Sequence, residues 1–86
     1  MYEVRLTREA HSFYRDADEG LARRFNRCFD RLAQDPRGHP KARRLKGPLT
    51  GYWRYRVGAW RVVYRIDDDE MVVTVILIAH RSEAYR

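Results

Sequence analysis

The stretch from Tyr52 to Ile66 restricts the fold of this chain more than any other. Two runs, Tyr52–Val57 and Trp60–Ile66, alternate apolar and basic residues on either side of Gly58-Ala59. Side chains alternate faces along a strand, and a two-residue connection with Gly at a left-handed position makes a tight hairpin. That turn would pair Val57 with Trp60, Arg56 with Arg61, Tyr55 with Val62 and Arg54 with Val63. Trp53, Tyr55, Val57, Trp60, Val62, Tyr64 and Ile66 then share one face, which must be the core. Arg54, Arg56, Arg61, Val63 and Arg65 share the other.

The remaining elements follow from periodicity and caps. Tyr2–Leu6 alternates and predicts a short strand. Thr7 can cap a helix starting at Arg8, with Glu9 in its first turn and Ala10, Phe13, Tyr14 and Ala17 at helical spacing. Asp18 can cap a second helix, which Pro36 ends. Leu21, Phe25, Cys28, Phe29 and Leu32 form its apolar stripe, and Arg23, Arg24, Arg27 and Arg31 lie on its other side. From Asp35 to Thr50 the pattern is lost, because Pro36, Gly38, Pro40, Gly47 and Pro48 break any regular element. After the hairpin, Asp67–Glu70 is an acidic turn, and Met71–Ala79 is a nearly continuous β-branched run suited to a strand covered on both faces. The order is β-α-α-β-β-β: an α+β domain over residues 1–86, with a two-helix hairpin packed on a four-stranded, mainly antiparallel sheet.

Charge narrows the function. The chain has 86 residues and a formal net charge of +6, and of its 18 basic residues only Lys41 and Lys46 are not Arg. Guanidinium forks match phosphate and stack on bases, so a polyanionic partner is expected. The hairpin sharpens this. Directly opposed like charges destabilise a strand pair, and the proposed register sets Arg56 against Arg61 with Arg54 beside them. A merely solubilising face would mix signs, yet no Asp or Glu occurs between Thr50 and Ile66. Lys41, Arg43, Arg44 and Lys46 extend the basic character into the preceding loop. These four and the helix arginines Arg23, Arg24, Arg27 and Arg31 are candidate contacts to RNA phosphates.

Other classes are disfavoured. Cys28 is alone, which excludes an internal disulfide and fits a reducing cytoplasm. The first residues lack a hydrophobic signal core, and Met71–Ala79 is too short to span a bilayer, so no membrane association is expected. His11, His39 and His80 are scattered without a carboxylate cluster, so neither a metal nor another cofactor is expected. His80, Arg81 and Tyr85 follow the last strand directly, and a strand end is a usual place for site residues.

These residues are also recognisable as a group. Arg44-Leu45-Lys46-Gly47, the stretch Gly51–Tyr64 and the ending Ala79-His80-Arg81-Ser82-Glu83-Ala84-Tyr85 resemble the RelE/ParE toxin superfamily, the ending its RelE branch. The resemblance in element order covers the whole chain, and the shared motifs cover roughly its second half. It implies the toxin of a type II toxin–antitoxin pair: an endoribonuclease that cuts mRNA in the ribosomal A site and inhibits translation. It implies attack by the RNA's own 2′-hydroxyl without a metal ion. It also implies a small, acidic, RelB-like antitoxin as partner, beside ribosome and mRNA. Arg54, Arg56, Arg61, Arg81 and Tyr85 match the positions of the catalytic residues, and His80 falls where relatives vary between His and Lys. Some relatives carry Lys where Arg54 and Arg56 stand. Arg hardly ever deprotonates, so Tyr85 and His80 are the alternatives for proton transfer. ParE-branch relatives inhibit DNA gyrase without RNase chemistry, which is the alternative reading. An inactive RNA-binding relic is a further one.

Overall fold

The structure is a computed structural model, and it describes residues 1–80. Strand β1 (Glu3–Leu6) leads into helices α1 (Arg8–Asp16) and α2 (Glu19–Gln34). Strand β2 (Ala42–Arg44), a single 3-10 turn at Gly47–Leu49, and strands β3 (Trp53–Val57), β4 (Trp60–Asp67) and β5 (Val72–His80) follow. The strands form one sheet in the order β1-β5-β4-β3-β2. Only β1 and β5 run parallel; the other neighbours are antiparallel. Among the described residues no helix is long and apolar enough to cross a membrane.

The helices begin where the caps predict. The Thr7 hydroxyl accepts from the Ala10 amide at 3.3 Å and the Asp18 carboxylate from the Leu21 amide at 2.8 Å, each satisfying an amide that the first turn leaves open. Both helices pack on one side of the sheet. Phe25, Cys28 and Leu32 of α2 and Ala10 of α1 meet Tyr55, Val57, Val62, Tyr64, Val73, Val75 and Ile78 in a single core.

The hairpin register is the expected one, with Val57 opposite Trp60, Arg56 opposite Arg61, Tyr55 opposite Val62 and Arg54 opposite Val63. Gly58 takes φ +59°, a left-handed angle that costs Gly little. In the sheet itself, one strand more than the expected four is present. Ala42–Arg44 pairs with Trp53–Tyr55, so part of the segment between Asp35 and Thr50 is a fifth strand at the edge. Three residues between Pro40 and Gly47-Pro48 carry too little periodicity to announce a strand. What orders them is the open edge of β3.

The second departure lies between β4 and β5. Val63 pairs with Leu77 but Tyr64 pairs with Val75, so Ile76 is an extra residue on β5. A bulge of this kind shifts every later side chain to the opposite face. Val73 and Val75 point into the core before it, and Ile78 points into the core after it. Val63, on the sheet side away from the helices, is nevertheless 1% exposed. That face has an apolar centre and an arginine surround.

Candidate nucleic-acid interface

The outer sheet face collects the arginines of three adjacent strands. The β2–β3 register sets Arg43 directly against Arg54, and the β3–β4 register sets Arg56 against Arg61. On their other sides, Arg54 pairs across to Val63 and Arg61 to Ala79 on β5. Like charges facing each other raise the energy of the sheet locally. A bound polyanion turns that repulsion into attraction.

Backbone carbonyls hold these guanidinium groups. Arg54 Nη1 donates to the Lys41 carbonyl at 3.2 Å. Arg61 Nη1 lies 3.3 Å from the Trp60 carbonyl and 3.4 Å from that of Gly58. Arg61 Nε is buried and, among the described residues, has no hydrogen-bond partner. A buried donor left open is costly, and an incoming phosphate oxygen is the kind of acceptor it lacks.

The other candidates divide. Arg24, Arg27 and Arg31 of α2 gather with Lys41 and Arg56 around a cleft at the β3 edge. Arg23 instead pairs with Glu19 one turn earlier, at 3.0 Å. The Arg44 guanidinium stacks over the Trp53 ring at 5.4 Å. Arg43 and Lys46 are exposed. Arg81 and Tyr85 lie outside the described residues.

His80 is not among the arginines. It pairs with Trp60, and its ring stands edge-on to the indole with centroids 5.2 Å apart. Trp60 in turn packs on Phe13 of α1. The bulge at Ile76 explains this: unbroken alternation from Val75 would put His80 on the outer face, and one extra residue re-aims it. Sequence periodicity carries no mark of that insertion.

His39 was not singled out by sequence. Its Nδ1 accepts from the Lys41 amide at 3.1 Å, and its Nε2 lies 3.1 Å from Arg31 Nη1. A neutral imidazole can accept at one nitrogen only, so His39 accepts from just one of these two donors at a time. Partial burial, then the Arg31 and Lys41 charges, push the His39 pKa below its ordinary value, against an opposing pull from Asp35. Cys28 beneath the same region is buried, and burial pushes its thiol far up, so it is an apolar floor and no nucleophile. No three His, Cys, Asp or Glu side chains come together as a metal site requires, among the described residues.

The family of the ParE toxin of the type II toxin–antitoxin system parDE matches residues 4–85. Toxin YoeB of Streptomyces coelicolor is 34% identical over 77 residues, covering 81% of this chain and 92% of that protein. Toxin RelG of Mycobacterium tuberculosis is 32% identical over 88 residues, covering 99% and 97%. In the crystal structure of the toxin–antitoxin complex RelBE2 from Mycobacterium tuberculosis, one chain superposes with a TM-score of 0.80 at 26% identity, covering 93% of this chain and 98% of its own. A chain of the archaeal RelE–RelB complex from Pyrococcus horikoshii gives 0.81 at 25% identity, covering 96% and 98%.

Proposed function

The chain belongs to the RelE/ParE superfamily of type II toxin–antitoxin toxins, and from that premise we propose that it is a ribosome-dependent mRNA endoribonuclease. The observation that carries this reading is the cluster of arginines on β2, β3 and β4, with Arg43 opposed to Arg54 and Arg56 to Arg61. In-line transfer at phosphorus needs its charge stabilised and its groups positioned, and preorganised guanidinium groups supply both. The RNA 2′-hydroxyl attacks the adjacent phosphorus, the bond to the 5′-oxygen breaks, and a cyclic phosphate remains. Arg61 and Arg81 contact the scissile phosphate, with Arg54 and Arg56 beside them. Tyr85 takes the 2′-hydroxyl proton, since His80 is turned away to Trp60, and the 5′-oxygen must receive one as it leaves.

The partner belongs to the same reading. A chain that cuts mRNA in the cytoplasm arrests its own host unless it is masked. A small acidic antitoxin, partly helical and folding as it binds, suits the basic surface. The relatives solved as the RelBE2 and RelE–RelB complexes support this.

The test is primer extension on translated mRNA. Arg61→Ala and Arg81→Ala should each lower cleavage by about 10²-fold or more, the typical cost of one lost donor. Near-normal cleavage by both variants would defeat the assignment. A second reading, inhibition of DNA gyrase without RNA cleavage, is favoured by the ParE description of the matching family. A gyrase supercoiling assay run in parallel separates the two. A chain inactive in both assays is a relic.

A further inference from the structure

The cleft on the helix side of the β3 edge has a composition that the outer face does not explain. Arg24, Arg27 and Arg31 recur at i, i+3 and i+7 along α2 and so line one stripe of it. Lys41, from the segment before β2, and Arg56 of β3 close the other side. The space between them is about 100 Å³, and Cys28, Tyr55 and Val57 form its floor. Among the described residues no carboxylate lines it. Four other cations pair with a nearby carboxylate: Arg5 with Glu3, Arg15 with Asp16, Arg23 with Glu19 and Arg37 with Asp68. Among the described residues none of the five cleft cations takes part in such a pair. Asp30 borders the neighbouring hollow with Arg27 and Arg31 and pairs with neither.

Contacts to the turn, to His39 and along the backbone set these residues around the cleft. A Cβ on Gly58 would come within 2.4 Å of Arg24 Nη2, so that guanidinium lies close against the hairpin turn. Arg31 meets His39 Nε2 at 3.1 Å, and His39 Nδ1 takes the Lys41 amide. The Lys41 carbonyl accepts from the Arg56 amide at 3.1 Å. Five positive charges converging on a small cleft repel one another unless an anion sits among them. Forked donors on several sides of a compact cleft match a tetrahedral phosphoryl group, which accepts bidentate bonds from more than one direction. A helical acidic segment would present its carboxylates along a surface, and few of them would reach a floor made by Cys28 and Val57.

We propose that this cleft is a phosphate seat for the RNA backbone, distinct from the cleaving face and joined to it at the rim by Arg56. This rests on the reading of the chain as a toxin that acts on RNA. The phosphate comes either from the mRNA strand leaving the cleaving face or from ribosomal RNA, and the seat's chemistry is the same for both.

The experiment follows the arginine Nε–Hε resonances of the full chain by NMR. Inorganic phosphate is the first probe, and an oligonucleotide of 2′-deoxy residues, which lacks the attacking hydroxyl, is the second. Signals of Arg24, Arg27 and Arg31 should move together and saturate with phosphate. The double variant Arg27→Gln/Arg31→Gln should lose the remaining response of Arg24 and keep that of Arg54 and Arg61. If mRNA supplies the phosphate, the double variant lowers the salt slope of oligonucleotide binding by about 0.7, the value for one single-strand phosphate contact. If ribosomal RNA supplies it, that slope is unchanged and ribosome binding weakens instead. Equal, unsaturating shifts at every arginine would overturn the seat, and so would tighter binding of a glutamate-rich peptide than of phosphate at these three residues. The cleavage reading fails separately, through an unaltered rate in Arg61→Ala, and phosphate binding to the free chain is measured without any cleavage.

Discussion

Tyr64 shows how one side chain can tie a loop to the core. Its ring is fully buried, and its hydroxyl donates to the Pro36 carbonyl at 2.6 Å, 28 residues away in sequence. Burial first, helped by nearby Cys28 and Tyr55, pushes the phenol far above its ordinary pKa, so it stays a donor throughout the usual pH range. Tyr64→Phe keeps the ring and strands the carbonyl, at a cost of about 1–2 kcal/mol. In a domain of this size that lowers Tm by roughly 4–8 °C per kcal/mol, readable by thermal melting, with cleavage unaffected at permissive temperature. Tyr85 poses the opposite case. If its hydroxyl moves the proton, Tyr85→Phe cuts the single-turnover rate strongly and leaves ribosome binding intact. If its ring only stacks on a base, Phe is active and Ala is not. At this scale the sequence names candidate residues but not where their side chains point. His80, expected just after the last strand, is its final residue, and one inserted residue at Ile76 turns it to Trp60.

Among the elements, the hairpin was legible because three independent signals agree: period-two alternation, β-branched and aromatic composition, and Gly at the turn. The helices were legible through Thr7, Asp18 and Pro36, which mark their ends chemically. Strand β2 was hidden because nothing in Ala42-Arg43-Arg44 prefers a strand; its partner Trp53–Tyr55 supplies the order. The same strand completes the candidate site by setting Arg43 against Arg54, so the missing element concealed one of the two like-charge pairs. Gly58 is where hairpin and cleft meet. Gly58→Ala must hold a Cβ at φ +59°, which costs about 1–2 kcal/mol for an L-residue. It also pushes Arg24 out of the cleft, whereas a merely strained turn would lower Tm without touching phosphate affinity. Both losses are expected, and retention of full phosphate binding would show that Arg24 does not contribute.

At the scale of the whole molecule, Asp68 draws together parts that are far apart in the chain. Its carboxylate takes two bonds from Arg37, at 2.7 and 3.1 Å, and one from the Tyr2 hydroxyl at 2.6 Å. The residue preceding β1, the loop after α2 and the β4–β5 turn are thereby joined at one end of the sheet. Nothing local in the acidic run Asp67–Glu70 announces this, because the partners lie 31 and 66 residues away. Hydrogen bonds from Arg37, then from Tyr2, hold the Asp68 pKa below its ordinary value, and the amides of Arg37 and Gly38 do the same for Asp35. A carboxyl with a depressed folded pKa binds its proton more readily in the unfolded chain. Its contribution is therefore fully present above the ordinary carboxylate pKa of about 4 and disappears as pH falls through the lower folded value. Both groups are exposed, so water and salt screen the effect. Melting temperature should accordingly be flat with respect to these two groups from neutrality to about pH 5 and fall below about pH 4. Asp68→Asn should lower Tm at pH 7, because Arg37 and Tyr2 lose their anion, and should make the fall at acid pH shallower, because one linked proton is gone. A variant that melts like the original at pH 7 yet keeps the same acid limb would mean that the Arg37–Asp68–Tyr2 junction does not hold the sheet end together.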